Sequence, residues 1–239
     1  MNEAPAAKPG KWTARLAYTA TVLLIVSVII GQTGTSAFGA MSGMALAILI
    51  GFIAFIIVLI SLIRGRFSSL NTAGFIAIAF GVLAIYRITL MATAGGPPIH
   101  DITTNTEDPP EFVAVIALRS PGDNTTSYVD DGTAELQLEA YPDIKTIVLQ
   151  DDLTTAYARA LTTAEAMGWE IVADEPNEGR IEATASTPFV GFKDDVVIRV
   201  RESSNGSLVD VRSKSRIGRG DMGVNAERIR TYTKALNKP

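Results

Sequence analysis

The chain has no cysteine and a single histidine, His100. The first absence excludes disulfides, thiol nucleophiles and thiolate metal sites. The second makes a zinc centre or a Ser-His-Asp triad depend on one imidazole, so no metal ligand, catalytic residue or cofactor is assigned. Acidic residues are almost missing from positions 1–94, where Glu3 stands alone against six Lys and Arg. The net charge is −4. It lacks the basic footprint that phosphate backbones require, which argues against nucleic acid.

What is present is apolar. Hydrophobic residues make up 47% and mean hydropathy is +0.24, which implies a membrane part joined to a soluble domain. Apolar runs cover 16–31, 41–63 and 70–94, and a helix needs about 20 such residues to cross the hydrocarbon layer. The first run is either an uncleaved anchor or a signal peptide with Lys8, Lys11 and Arg15 as its basic end; the two later runs make the protein membrane-bound in both cases. Basic residues precede the first run, and Arg64 and Arg66 separate the second from the third, whereas 32–40 carries no charge. The positive-inside rule then gives a multi-pass protein of a bacterial inner membrane, N-terminus cytoplasmic and C-terminal domain periplasmic. The runs hold no Asp, Glu or Lys, which disfavours an ion path. Arg87 is expected to snorkel to the outer headgroups. Small residues recur every four positions, Gly43, Ala47 and Gly51, then Ala73, Ala77 and Gly81. They suit packing within the three helices or, secondarily, a homo-oligomer or membrane-protein partner.

Gly95-Gly96-Pro97-Pro98 ends the third helix. Residues 95–178 then hold seventeen acids against three bases, and 95–150 reads as an extended acidic arm. Residues 151–239 read as an α+β domain that forms one periplasmic unit with the arm. Asp151–Met167 has a helical apolar face, Trp169–Ala173 and Gly179–Ser186 read as strands, and Asn225 is placed as the cap of a last helix bearing Ile229, Tyr232 and Leu236. The fold class is therefore α+β: three N-terminal transmembrane helices, then a two-layer domain with an antiparallel sheet and helices on one face. The other face is expected to stay open to water or ligand, or, given the net negative segment just upstream, to be covered by the chain's own acidic arm.

The most informative stretch is 194–225. Val196, Ile198 and Val200 alternate with Asp195, Val197, Arg199 and Arg201, so one face is core and the other charged. Asn205-Gly206 reads as the central pair of a two-residue turn, which sets Val200 opposite Val211, Arg201 opposite Asp210 and Asp195 opposite Arg216. With Arg212 and Lys214, five cations then face two carboxylates, and arginine forks suit phosphate or carboxylate. Arg199, Arg212, Arg216, Arg219 and Asn225 are the candidate residues for an anionic ligand. Gly218-Arg219-Gly220-Asp221-Met222-Gly223 fits a dinucleotide fingerprint in letters only, because the parallel βαβ unit is missing. A helix N-terminus that attracts an anion is the milder reading. An alternative function, a periplasmic hydrolase or lyase, would use Asp194, Asp195, Asp221 or His100 with Arg219, and requires those groups to converge in a pocket.

IHDITTNTEDPPEF, YPDI, GWEIV, FKDDVVIRVR and VDVRSKSRIGRGDMGVNAERI occur in this order. Together they resemble the bacterial family catalogued as domain of unknown function 1499, over about Pro97 to Leu236. The resemblance implies an envelope domain that stands alone or follows membrane spans, and no activity that transfers residue by residue. The family often has Asp where this chain has Asn105. The reading is of a membrane-anchored, non-enzymatic module that binds an anionic lipid, a glycan or a membrane-protein partner.

Overall fold

The computed structural model describes residues 9–93, 96–129 and 131–238. Lys8, Ala94 at the end of the third apolar run and Gly95, the first residue of the expected helix-ending Gly-Gly-Pro-Pro stretch, lie outside them. The chain divides into two compact units, one of 1–93 with 188–191 and one of 94–187 with 192–239.

The first unit holds helices α1 (Pro9–Gln32), α2 (Ala37–Ile63) and α3 (Thr72–Thr93). All three contain stretches long and apolar enough to cross a membrane. Ser36 caps α2 by accepting the Gly39 N–H at 2.9 Å. The glycines of the small-residue stripes serve close packing among the helices: Gly43 lies against Ser27 of α1, and Gly51 and Gly81 lie between α2 and α3. A Cβ at Gly51 would stand 2.2 Å from the Phe80 ring and one at Gly81 would stand 2.4 Å from the Phe55 ring, so each glycine is the socket for an aromatic ring of the other helix. Arg87 is exposed on α3.

The second unit is an open antiparallel sheet of six strands with helices against it: β1 (Asp101–Thr103), β2 (Ile147–Leu149), β3 (Glu170–Glu175), β4 (Arg180–Ser186), β5 (Lys193–Ser203) and β6 (Gly206–Ser215). Their order is β1-β6-β5-β4-β3, and β2 also pairs with β6, beyond β1 on the same side. The expected acidic arm thus supplies both strands beside β6, together with helix α4 (Thr133–Ala140). Gln137 of α4 is fully buried. Its amide accepts the Thr103 N–H at 2.9 Å and donates to the Thr103 carbonyl at 2.7 Å, which satisfies the outer edge of β1 as a further strand would.

Helices α5 (Leu153–Ala166) and α6 (Val224–Leu236) cover one face of the sheet. Ile181, Val196, Ile198, Val200, Val209 and Val211 meet Ala156, Ala160, Ile229, Tyr232 and Leu236 there in one buried core. Tyr232 stacks on Trp169 with ring centroids 5.3 Å apart, and its hydroxyl donates to the Ala160 carbonyl. The helix expected over 151–167 is present, with Asp152 as its N-cap.

Three expectations require correction. The β5–β6 turn is Ser204-Asn205, with Ser203 opposite Gly206, Val200 opposite Val209 and Arg199 opposite Asp210. The register is displaced by two residues from that expected, so every side chain keeps its face while every pair changes. Positive φ falls on Gly206, at +126°, and on neither turn residue. The cap of α6 is not Asn225, which lies in the first turn with its side chain buried. Asp221 does the capping: its carboxylate accepts the N–H groups of Gly223 at 2.8 Å and Asn225 at 2.7 Å. Finally, the charged face is not open. Residues 104–128 lie across it as a strap, and Asp195, Arg212, Lys214, Asp210 and Glu182 beneath are all buried.

Candidate functional site

The strap can cover a charged face because its own backbone supplies neutral acceptors. Arg212 makes a bidentate pair with Asp101, both contacts at 2.8 Å, and donates to the carbonyls of Pro110 and Thr126. Its guanidinium lies between the rings of Phe112 and Tyr128, at 4.8 and 5.2 Å. Lys214 donates to Asp101 at 2.8 Å and to the Ser127 carbonyl at 2.9 Å. Burial lowers the Lys214 pKa, and Asp101 opposes that shift. Arg216 grips both oxygens of Asp195 and donates to the Leu118 carbonyl, while Arg119 of the strap adds a 2.7 Å contact to Asp195. Arg199 donates to Asp210 at 2.9 Å and to the Asp108 carbonyl at 2.6 Å. The excess of cations counted in the hairpin is thus matched by strap carboxylates and carbonyls.

Glu182 shows the reverse arrangement. Its buried carboxylate accepts the backbone N–H groups of Val113, Ala114 and Val115 at 2.9–3.1 Å, where the short 3-10 helix Ala114–Leu118 begins. Arg180 also donates to it. A carboxylate of the sheet therefore occupies the anion site that the strap's first helical turn creates.

Of the candidate anion ligands, Arg199, Arg212 and Arg216 share the strap-covered face. Asn225 lies on the helix side, bonded to Ser213, Ser215 and the His100 carbonyl. Arg219 is exposed in the loop before α6. The groups named for hydrolysis do not meet. Asp194 and Asp195 are neighbours on a strand and point to opposite faces, Asp194 to Arg228 of α6 and Asp195 to Arg216. Asp221 is engaged in capping, and the His100 imidazole meets the Arg219 carbonyl, at 3.4 Å. Among the described residues, no group of three or more His, Asp and Glu is placed to hold a metal ion. Asn105 accepts the N–H groups of Glu107 and Asp108 through Oδ1, and an aspartate oxygen at this position would do the same.

One concavity remains between strap and sheet, a cleft of about 950 Å³. Its floor is Val197, Arg199, Arg180 and Arg212, and its walls include Pro110, Phe112, Val113, Ile116 and Tyr128. Arg180 and Arg199 stand directly opposite each other in the β4–β5 register. Like charges so placed repel unless each is compensated. Arg180 is held by Glu178 and Glu182, Arg199 by Asp108 and Asp210. Two donors on the lining are buried without a protein partner, the Tyr128 hydroxyl and Arg199 Nε. Burial, reinforced by the Asp101 carboxylate and opposed by Arg212, pushes the Tyr128 pKa up to about 12, so the phenol remains a neutral donor. Arg180, Tyr128 and the apolar wall were absent from the candidates read in the sequence. The alternation of Arg180 with Ile181 gives its face, but its partner across β5 depends on a turn whose length the letters do not state.

Residues 101–236 match the model of a family described as protein of unknown function (DUF1499), and the chain belongs to that family. No curated protein matches it.

Proposed function

We propose that this member of the family is a membrane-anchored binding module of the bacterial envelope. In this reading α1–α3 lie in the inner membrane, the N-terminus is cytoplasmic and the sheet domain is periplasmic. Lys11, Arg15, Arg64 and Arg66, against the uncharged 32–40 loop, support the orientation. The task of the domain is to hold the anionic group of a lipid, a glycan or a neighbouring membrane protein in the cleft under the strap. The observation that carries this reading is the pair of buried, unpartnered donors, Tyr128 Oη and Arg199 Nε, on the lining of one cleft. A buried donor left unpaired costs about 1–3 kcal/mol, and an anion in this cleft that accepts from both donors would remove that cost.

The test is calorimetric titration of the intact protein, in neutral detergent, with inorganic phosphate and with glucuronate. Binding is expected for the wild type. Tyr128→Phe should weaken it roughly tenfold, the equivalent of one hydrogen bond to a charged group. Because the hydroxyl has no protein partner, the same variant should not lower the thermal midpoint, and without anion should raise it. Equal affinities of wild type and variant, or no binding of either anion, would refute the reading.

A further inference from the structure

The cleft is only partly polar, and its apolar part is unpaired. Val113 and Ile116 of the strap, 53% and 51% exposed, stand on its wall. Beneath the strap, Phe112 and Val197 form a small buried cluster with Val115. Isolated exposed apolar residues are ordinary. Here two of them line the same concavity as the Arg180–Arg199 pair, so a ligand seated on the arginines passes along them. The acidic residues on the lining restrict the ligand further. Glu107, Asp108, Glu111 and Glu178 are all exposed, so they repel a second negative charge while the cations lie deeper. A polyanion is disfavoured by that rim, and a bare anion leaves the Val113–Ile116 wall in water. The volume lies near the upper end of the range for ligand sites, roughly 300–1,000 Å³, more than a headgroup alone requires.

From this we infer that the cleft takes an amphiphile with one anionic group, its phosphate or carboxylate between Arg180 and Arg199 and its aliphatic chain along Phe112, Val113 and Ile116. The inference rests on the anion-binding reading above and names the ligand class of the same cleft.

The experiment is native mass spectrometry of the full chain released from neutral detergent, with inorganic phosphate and with butyl, hexyl and octyl phosphate at equal concentrations. Bound fraction should rise steeply with chain length, by up to roughly fourfold in affinity for each methylene that is buried. Val113→Asn with Ile116→Asn, which removes the apolar wall without adding charge, should flatten that dependence and leave phosphate binding in place. Tyr128→Phe, which removes no contact of the fold, should weaken every ligand by a similar factor. If phosphate binds and chain length has no effect, the amphiphile inference fails and the anion reading stands. If the chain-length dependence survives in the double Asn variant, the alkyl groups sit elsewhere, on the apolar helices, and the inference fails too. If no phosphate of any kind binds, both readings fall. Lysophosphatidylglycerol against glycerol phosphate then separates a lipid from a small phosphate as the source of the headgroup, and equal binding of the two again overturns the inference.

Discussion

Glu182 illustrates how single side chains hold strap to sheet. Its carboxylate is fully buried and is the acceptor for three backbone donors of the strap and for Arg180. Glu182→Ala removes all of these at once and leaves Arg180 with only the exposed Glu178. The expected cost is about 3–5 kcal/mol, the range for breaking one side of a buried charge pair. Arg201 makes the contrast. Its side chain is 39% exposed, and its partner Asp210 keeps Arg199 when Arg201 is removed, so Arg201→Ala should cost less than about 1 kcal/mol. Denaturant unfolding followed through the near-ultraviolet signal of the Trp169–Tyr232 stack reports both. Similar losses for the two variants would mean that burial does not govern these pairs. Tyr128 adds a pH dependence whose sign is fixed. Its pKa rises from 10.0 in the unfolded chain to about 12 in the fold, so folding favours the neutral phenol. The stability this contributes is complete below pH 10 and is lost as pH rises through 12. Spectroscopic titration of the wild type should show a tyrosine ionising near pH 12 that is missing in Tyr128→Phe; ionisation near 10 would show that the phenol is in contact with bulk water.

At the level of elements, the hairpin shows what a sequence pattern can and cannot decide. Alternation fixed the faces of β4, β5 and β6, since period two depends on nothing beyond the strand. The ion pairs expected from it, Arg201 with Asp210 and Asp195 with Arg216, are present, although as diagonal neighbours and not as opposite residues. Long side chains reach one pair along the ladder, so the chemistry was legible while the register was not. The register depends on contacts distant in sequence. Gly206 lies against β2, where a Cβ would come 2.1 Å from the Leu149 carbonyl oxygen. Its φ of +126° is also unfavourable for any side chain. Gly206→Ala should therefore displace β2 and cost more than the ~1 kcal/mol typical of a glycine conformational effect alone. Faster amide exchange at Ile147 and Leu149 would register the displacement, and unchanged protection there would remove Gly206 from this role. The cap of α6 gives a second test at this scale. Asp221, two residues before the Gly223 N-cap, accepts the first free N–H groups of the helix, so Asp221→Ala should cost about 1 kcal/mol, as loss of a capping side chain usually does, while Asp221→Asn, which keeps one acceptor, should cost less.

For the whole molecule, the uneven distribution of charge in the chain has a structural reason. The acidic segment 95–178 includes the strap that lies on the basic face of β5 and β6, and its Asp101 and Asp108 answer Arg212, Lys214, Arg199 and Arg201. Charge counting suggested an internal partner, but only the fold shows that much of the matching is done by carbonyls, which carry no signature in a sequence. For the same reason the cleft was not legible: it forms where a strap without helical or strand periodicity crosses a sheet. The membrane part is legible in a different way, because length and hydropathy identify three helices apolar enough to span a membrane, while the proposed sidedness rests on five basic residues, Lys8, Lys11, Arg15, Arg64 and Arg66. The absence of cysteine makes that sidedness directly testable. Ser68, between α2 and α3, and Ser204, in the β5–β6 turn, are both exposed, so a single cysteine at either position leaves the packing intact. With the outer membrane permeabilised and the inner membrane sealed, an impermeant maleimide should label Ser204→Cys and not Ser68→Cys. The reverse pattern would put the sheet domain in the cytoplasm, where it would meet a different set of anionic ligands.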